Sequence, residues 1–188
     1  MNKFSVRALC GAAILIALAT VTSLIKVFSF PFGGSVTLLS MLFIAIIGYL
    51  FSYKVSLAAA LAYGLLQFVL KPEFYTPLQV IIDYLLAFAS LGISGFFSYD
   101  PSKGEKSNHK RLIGGYLAAI SARWVFTTLS GYVFWAEYAW EGWNPLLYSM
   151  VYNGIYIYAE GILTVIVLFI PAVRNAIDRC AISLKNIK

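Results

Sequence analysis

Apolar stretches of membrane-crossing length follow one another through this chain, and that recurrence restricts the fold more than any motif in it. Crossing the hydrocarbon takes about 20 predominantly apolar residues in a helix, and with no water available the backbone of each span must close its hydrogen bonds internally. The pattern predicts six spans, near 8–27, 36–51, 55–70, 77–97, 112–134 and 145–173, and hence one all-α integral membrane domain over 1–188. With 61% hydrophobic and 12% charged residues and a mean hydropathy of +0.81, the chain is too apolar for a soluble domain of its length. The first span could also be read as a signal peptide, with Ala17-Leu18-Ala19 as a cleavage-like site. A retained helix is expected, because the apolar run exceeds a signal core and five more spans follow.

The net charge of +6 reflects topology rather than nucleic-acid binding, since the basic residues sit in short clusters between apolar runs. Six crossings place Lys3, Arg7, Lys54, Lys103, Lys106, Lys110, Arg111, Arg174, Arg179, Lys185 and Lys188 on one side, against Lys26 and Lys71 on the other. The positive-inside rule then makes both termini cytoplasmic. Cys10 and Cys180 are too far apart in sequence for a metal motif, and His109, the sole histidine, is expected in the polar loop 98–110. No metal, cofactor or disulfide framework is therefore expected, and Gly33-Gly34 lacks the Lys-Ser/Thr that would complete a phosphate-binding loop. An intramembrane enzyme would need a nucleophile–base pair that the spans do not offer, so the chain is not expected to be an enzyme.

The candidate site lies in YVFWAEYAWEGWNPLLYSMVYNGIYIY, 132–158. Tyr and Trp gather at membrane–water boundaries and build pockets for flat or cationic ligands. Glu137, Glu141, Gly142, Asn144 and Pro145 read as a loop at the water's edge. Tyr148, Tyr152, Asn153 and Tyr156 recur at helical spacing on one face. Inside the spans stand Asp83, Arg123 and Glu160, each costing ~2.5–3.5 kcal/mol on insertion scales unless it faces protein, water or ligand. Asp83 is read as a ligand carboxylate in preference to a partner of Arg123, and Glu160 as the structural partner of Arg123 in preference to the floor of the pocket. A stand-alone proton-coupled carrier could instead use Asp83 and Glu160 as relay groups. The small residues of the first span, with Ala13-x-x-x-Ala17, suit either close helix docking or internal packing.

The segments GGSVTLLSML, IIDYLLAFASLGISGFF and above all FWAEYAWEGWNPLLYSMVYNG resemble the thiamin-specific S components of energy-coupling factor (ECF) vitamin transporters. The resemblance runs from KFSVR to the last span. It implies a six-helix membrane protein that captures thiamin near the outer face of a prokaryotic plasma membrane, with a separate T component and two cytoplasmic ATPases driving uptake. It further implies that Trp135 stacks on the vitamin's rings, that Asp83, Tyr84, Tyr148 and Asn153 bind it, and that Ala13 and Ala17 face the T component. Asp83 replaces the longer Glu usual in relatives, and Thr127, one turn before Gly131, stands where a ring-stacking His can occur. Tyr63 falls where an aromatic lines the pocket, and Trp140 belongs to the same motif. A thiamin precursor, hydroxymethylpyrimidine, or another small heteroaromatic vitamin is the alternative ligand.

Overall fold

The computed structural model describes residues 5–186; Lys3 and Lys188, counted above for topology, lie outside them. Among the described residues, seven longer helices and one hairpin, with short 3-10 turns at Pro31–Gly33 and Ala136–Tyr138, follow in this order: α1 (Val6–Leu24), β1 (Lys26–Ser29), β2 (Ser35–Thr37), α2 (Ser40–Leu50), α3 (Tyr53–Leu70), α4 (Pro77–Phe97), α5 (Glu105–Phe134), α6 (Pro145–Phe169) and α7 (Pro171–Asn186). Among the described residues, α1, α3, α4, α5 and α6 are long and apolar enough to cross a membrane. The protein is an all-helical membrane protein apart from the hairpin.

Several expected boundaries are corrected. The first span ends at Leu24 rather than 27, and Lys26 already belongs to β1. The stretch 28–35, expected as a loop, forms an antiparallel hairpin with β2, pairing Phe28 with Val36 and Ser29 with Ser35. Proline and paired glycines in its turn prevent a helix from continuing there. The second span is consequently a strand followed by an 11-residue helix, only ~16 Å long at 1.5 Å per residue. It compensates by position: nearly every residue from Ser40 to Leu50 is buried, so α2 is the centre of the bundle. By contrast α1 is peripheral, burying little beyond Ala8, Ala12 and Ala19. The last span stops at Phe169 because Pro171 starts a new helix, α7.

The polar loop is also shorter than expected, since α5 already begins at Glu105. The segment before it is a turn in which Asp100 accepts from the Ser102 backbone N–H at 3.0 Å and its hydroxyl at 2.7 Å. Those bonds hold the Asp100 carboxyl below its ordinary range. His109 is not in a loop but buried in α5, with Nε2 2.8 Å from Asp178 Oδ2 of α7. The other Asp178 oxygen accepts from the Tyr49 hydroxyl of α2 at 2.6 Å. These bonds tie α7 to the bundle at the end opposite the aromatic loop.

Helix α4 is not regular. Its middle turn, Ile81–Leu86, widens to π geometry and its last two turns, Ser90–Phe97, tighten to 3-10 geometry. Such single π turns recur at functional sites because they rotate side chains off the α-helical register. Here the widened turn carries Asp83 and Tyr84.

Candidate functional site

A cavity of about 360 Å³ opens at the end of the bundle where the hairpin, the α3–α4 turn and the α5–α6 loop meet. That volume lies within the ~300–1,000 Å³ of small-molecule pockets. Its walls include Tyr63, Asp83, Tyr84, Thr127, Gly131, Trp135, Tyr148 and Asn153. Residues expected from four separate spans are thus brought to one concavity.

The α5–α6 wall begins with local sequence. Asn144 caps α6, its Oδ1 accepting from Leu146 N at 2.9 Å and Leu147 N at 3.4 Å, and Pro145 takes the first helical position. The cap aims the face of Tyr148, Tyr152, Asn153 and Tyr156 into the cavity. Gly131 lets α5 approach: a Cβ there would collide with Ser149 Oγ and come within 3.2 Å of Asn153 Nδ2. Asn153 is held in place, donating to Ser149 O at 2.9 Å and accepting from the Tyr156 hydroxyl at 2.6 Å. Trp135 ends α5 and stacks edgewise on Tyr75 at 5.2 Å and obliquely on Tyr138 at 5.5 Å.

Asp83 is oriented by Gln79, one turn earlier, whose Nε2 donates to Oδ2 at 3.2 Å. Gln79 is fully buried and fixed in turn by Tyr75 N donating to its Oε1 at 2.8 Å. Tyr84 contributes its ring while its hydroxyl is engaged elsewhere, accepting from Glu73 N at 2.9 Å and donating to Lys71 O at 2.8 Å. That clasp shapes the α3–α4 turn, where Lys71 and Glu73 pair at 2.7 Å. Tyr63 is buried and meets Phe88 edge to face at 5.3 Å, and Thr127 bonds back to the Arg123 and Trp124 carbonyls.

Among the described residues the expected Glu160–Arg123 pair does not form, and neither does the alternative pairing of Asp83 with Arg123. The Arg123 guanidinium lies 4.2 Å over the Phe88 ring, which attracts it through the ring quadrupole. Glu160 is buried under the cavity and accepts from Thr37 N at 3.0 Å, Thr37 Oγ1 at 2.5 Å, Ser40 Oγ at 3.3 Å and Met41 N at 3.0 Å. It caps α2 from another helix, because Leu39, at φ 62°, supplies no side-chain cap. Asp83 and Glu160 thus both line the cavity outside any salt bridge among the described residues, but Glu160 is taken up by the start of α2.

Trp140 is the other correction. It is exposed and lies outside the cavity lining, packing edgewise on Tyr148 at 5.1 Å. The structure adds lining residues that were not singled out as ligand contacts, chiefly Gln79, Phe88, Tyr152, Lys71 and Glu73. Of these Gln79 was findable, since glutamine four residues before Asp83 shares its helix face. Tyr152 also pins the hairpin over the cavity, donating to the Pro31 carbonyl and accepting from Gly34 N at 3.2 Å.

Comparison with known proteins adds independent findings. The family described as Thiamine transporter protein (Thia_YuaJ) matches residues 9–178. The chain is 33% identical over 164 residues to Thiamine transporter ThiT of Bacillus subtilis, covering 83% of this chain and 85% of that protein. It is 29% identical over 119 residues to the protein of the same name from Lacticaseibacillus paracasei, covering 58% and 59%. A solved structure of ThiT from Listeria monocytogenes superposes with a TM-score of 0.73 at 28% identity, covering 88% of this chain and 94% of that one.

Proposed function

The chain belongs to the thiamine transporter protein family and is a multi-pass protein of the cell membrane, and on that premise we propose that it is the thiamin-binding S component of an ECF importer. It captures the vitamin at the outer face and hands it to a T component driven by two cytoplasmic ATPases. In this reading α2 and the hairpin together make the sixth crossing, and both termini are cytoplasmic. The basic residues of the 98–111 segment and of α7 support that orientation. Ala13 and Ala17, exposed on the outer side of α1 while Ala8, Ala12 and Ala19 face inward, suit close docking of the T component.

The observation that carries the proposal is the cavity itself: a carboxylate outside any salt bridge among the described residues, Asp83, in one lining with the rings of Trp135 and Tyr148. Thiamin joins a cationic thiazolium to a flat aminopyrimidine. The rings accept both flat groups, and Asp83 balances the cation or takes the amino edge of the pyrimidine. Arg123, turned onto Phe88, lines the same cavity without forming a salt bridge with Asp83. A desolvated cation–π contact supplies about 2 kcal/mol, against ~12 kcal/mol for nanomolar capture, so affinity comes from the whole lining.

The test is titration of the purified protein in detergent with thiamin and with hydroxymethylpyrimidine, followed by tryptophan fluorescence. Saturable quenching by thiamin at nanomolar concentration, weakened in Trp135→Phe, is the expected result. A response to the pyrimidine alone reassigns the ligand. In liposomes the protein alone binds thiamin without accumulating it; accumulation without ATPases indicates a stand-alone carrier.

A further inference from the structure

The α5–α6 loop holds a built feature that the cavity does not use. Trp140 N-terminal to the turn and Trp143 after it are joined by a bond from Trp143 N to Trp140 O at 2.9 Å. Gly142, at φ 78°, occupies the third position of this turn, where a left-handed conformation is required and nothing crowds its missing Cβ. The turn sets the two indoles edge to face, 4.9 Å apart and 84° inclined, although they are 48% and 42% exposed. On its other side Trp140 meets Tyr148 at 5.1 Å and 74°. Tyr148 is buried and lines the cavity, and continues to Tyr152 at 5.7 Å and Tyr156 at 5.9 Å. An unbroken series of rings therefore leads from the surface into the cavity wall. Glu137 and Glu141 stand exposed in the same loop, and no Lys or Arg occurs between Arg123 and Arg174.

We propose that Trp140 and Trp143, with Glu141 beside them, form an outer capture site for heteroaromatic cations, from which the ligand passes along Tyr148 into the cavity. Indole faces attract a thiazolium through their quadrupole, and an acidic loop free of basic residues raises the local concentration of a cation. A transit site at the rim that makes no contact with the bound ligand lowers the barrier for entry and exit alike, so it speeds both rates and leaves the Kd unchanged. The proposal rests on thiamin, or another cation of its kind, being the ligand.

Stopped-flow fluorescence reports association through Trp135, which all variants below retain. Trp143→Leu, which touches Trp140 and not the cavity, and the double variant with Trp140→Leu keep the apolar bulk and remove the indoles. The expected result is an association rate for thiamin reduced about tenfold in the double variant, with dissociation slowed by a similar factor and the Kd unchanged within about twofold. Glu141→Gln should flatten the salt dependence of association. Equal association rates in all variants overturn the proposal, and so does a faster dissociation alone, which would mean that the indoles merely support Tyr148. A second readout stands apart from thiamin binding: with 5-fluorotryptophan in the protein, N-methylthiazolium should shift the fluorine resonances of Trp140 and Trp143, in wild type and in Asp83→Asn alike. Failure of wild type to bind thiamin while these shifts persist defeats the ligand assignment and keeps the cation site; absence of the shifts defeats the cation site.

Discussion

Asp83 and Gly131 show how single residues shape the cavity in two different ways. Asp83 contributes charge: it is held by Gln79 and forms no salt bridge among the described residues, so a cationic ligand is its natural complement. Asp83→Asn keeps the shape and removes the charge, and hydrogen bonds to charged groups contribute about 1.5–3 kcal/mol. Thiamin should therefore bind roughly tenfold to hundredfold more weakly, with a smaller loss for neutral hydroxymethylpyrimidine; an unchanged Kd for thiamin would remove Asp83 from the site. Gly131 contributes absence. A methyl group there meets Ser149 Oγ, which is itself buried and bonded to the Thr128 carbonyl, so α5 and α6 have to separate. Gly131→Ala should lower stability by about 1–3 kcal/mol and weaken binding, read as a lower melting temperature in detergent and a raised Kd. A variant that melts and binds like wild type would mean that the interface yields without strain.

At the scale of elements, α2 and α4 carry the unexpected geometry. Helix α2 is short, begins at a left-handed Leu39 and lacks its own cap, yet occupies the centre of the bundle. Glu160 resolves the conflict by accepting from the strand, the cap region and the first turn together. Removing it leaves several buried donors unsatisfied, at about 1–3 kcal/mol each. Glu160→Ala should thus lower the melting temperature more than Asp83→Asn does, with Glu160→Gln intermediate, because an amide keeps one acceptor but turns a donor towards donors. Equal melting temperatures for Glu160→Ala and wild type would show that water replaces the carboxylate. In α4 the π turn rotates Asp83 and Tyr84 together, so that the carboxylate faces the cavity while the Tyr84 hydroxyl reaches back to the α3–α4 turn.

For the whole molecule, the two ends of the bundle are built differently. One end holds the cavity, hairpin and aromatic loop; the other holds buried bonds among Tyr49, His109 and Asp178 that anchor α7. Helix α1 stands at the side, with Ala13 and Ala17 turned outward. If that surface receives the T component, Ala17→Trp should leave the thiamin Kd unchanged and abolish uptake in cells or in proteoliposomes containing the full transporter. Normal uptake would mean that the alanines serve only lipid packing.

The membrane class, the positions of most helices and part of the cavity lining, such as Asp83, Trp135 and Tyr148, were legible in the residue order, because each rests on local composition. Apolar runs require helices in a bilayer whatever surrounds them, and the Asn144-Pro145 start of α6 and the Gly142 turn are set by neighbours in sequence. Pairing was not legible. Arg123 and Glu160 have opposite charges and shared burial, which suggested a bond, yet a ring and an uncapped helix end took them instead. Trp140 belongs to the same motif as Trp135 but lies on the rim, because the turn points it away from the lining. The conversion of 36–39 from helix to strand and cap likewise depends on a partner more than 100 residues away, and the π turn that presents Asp83 had no sequence signal read for it. Local propensity determines which segments form; which buried polar group satisfies which is settled only when the whole bundle has packed.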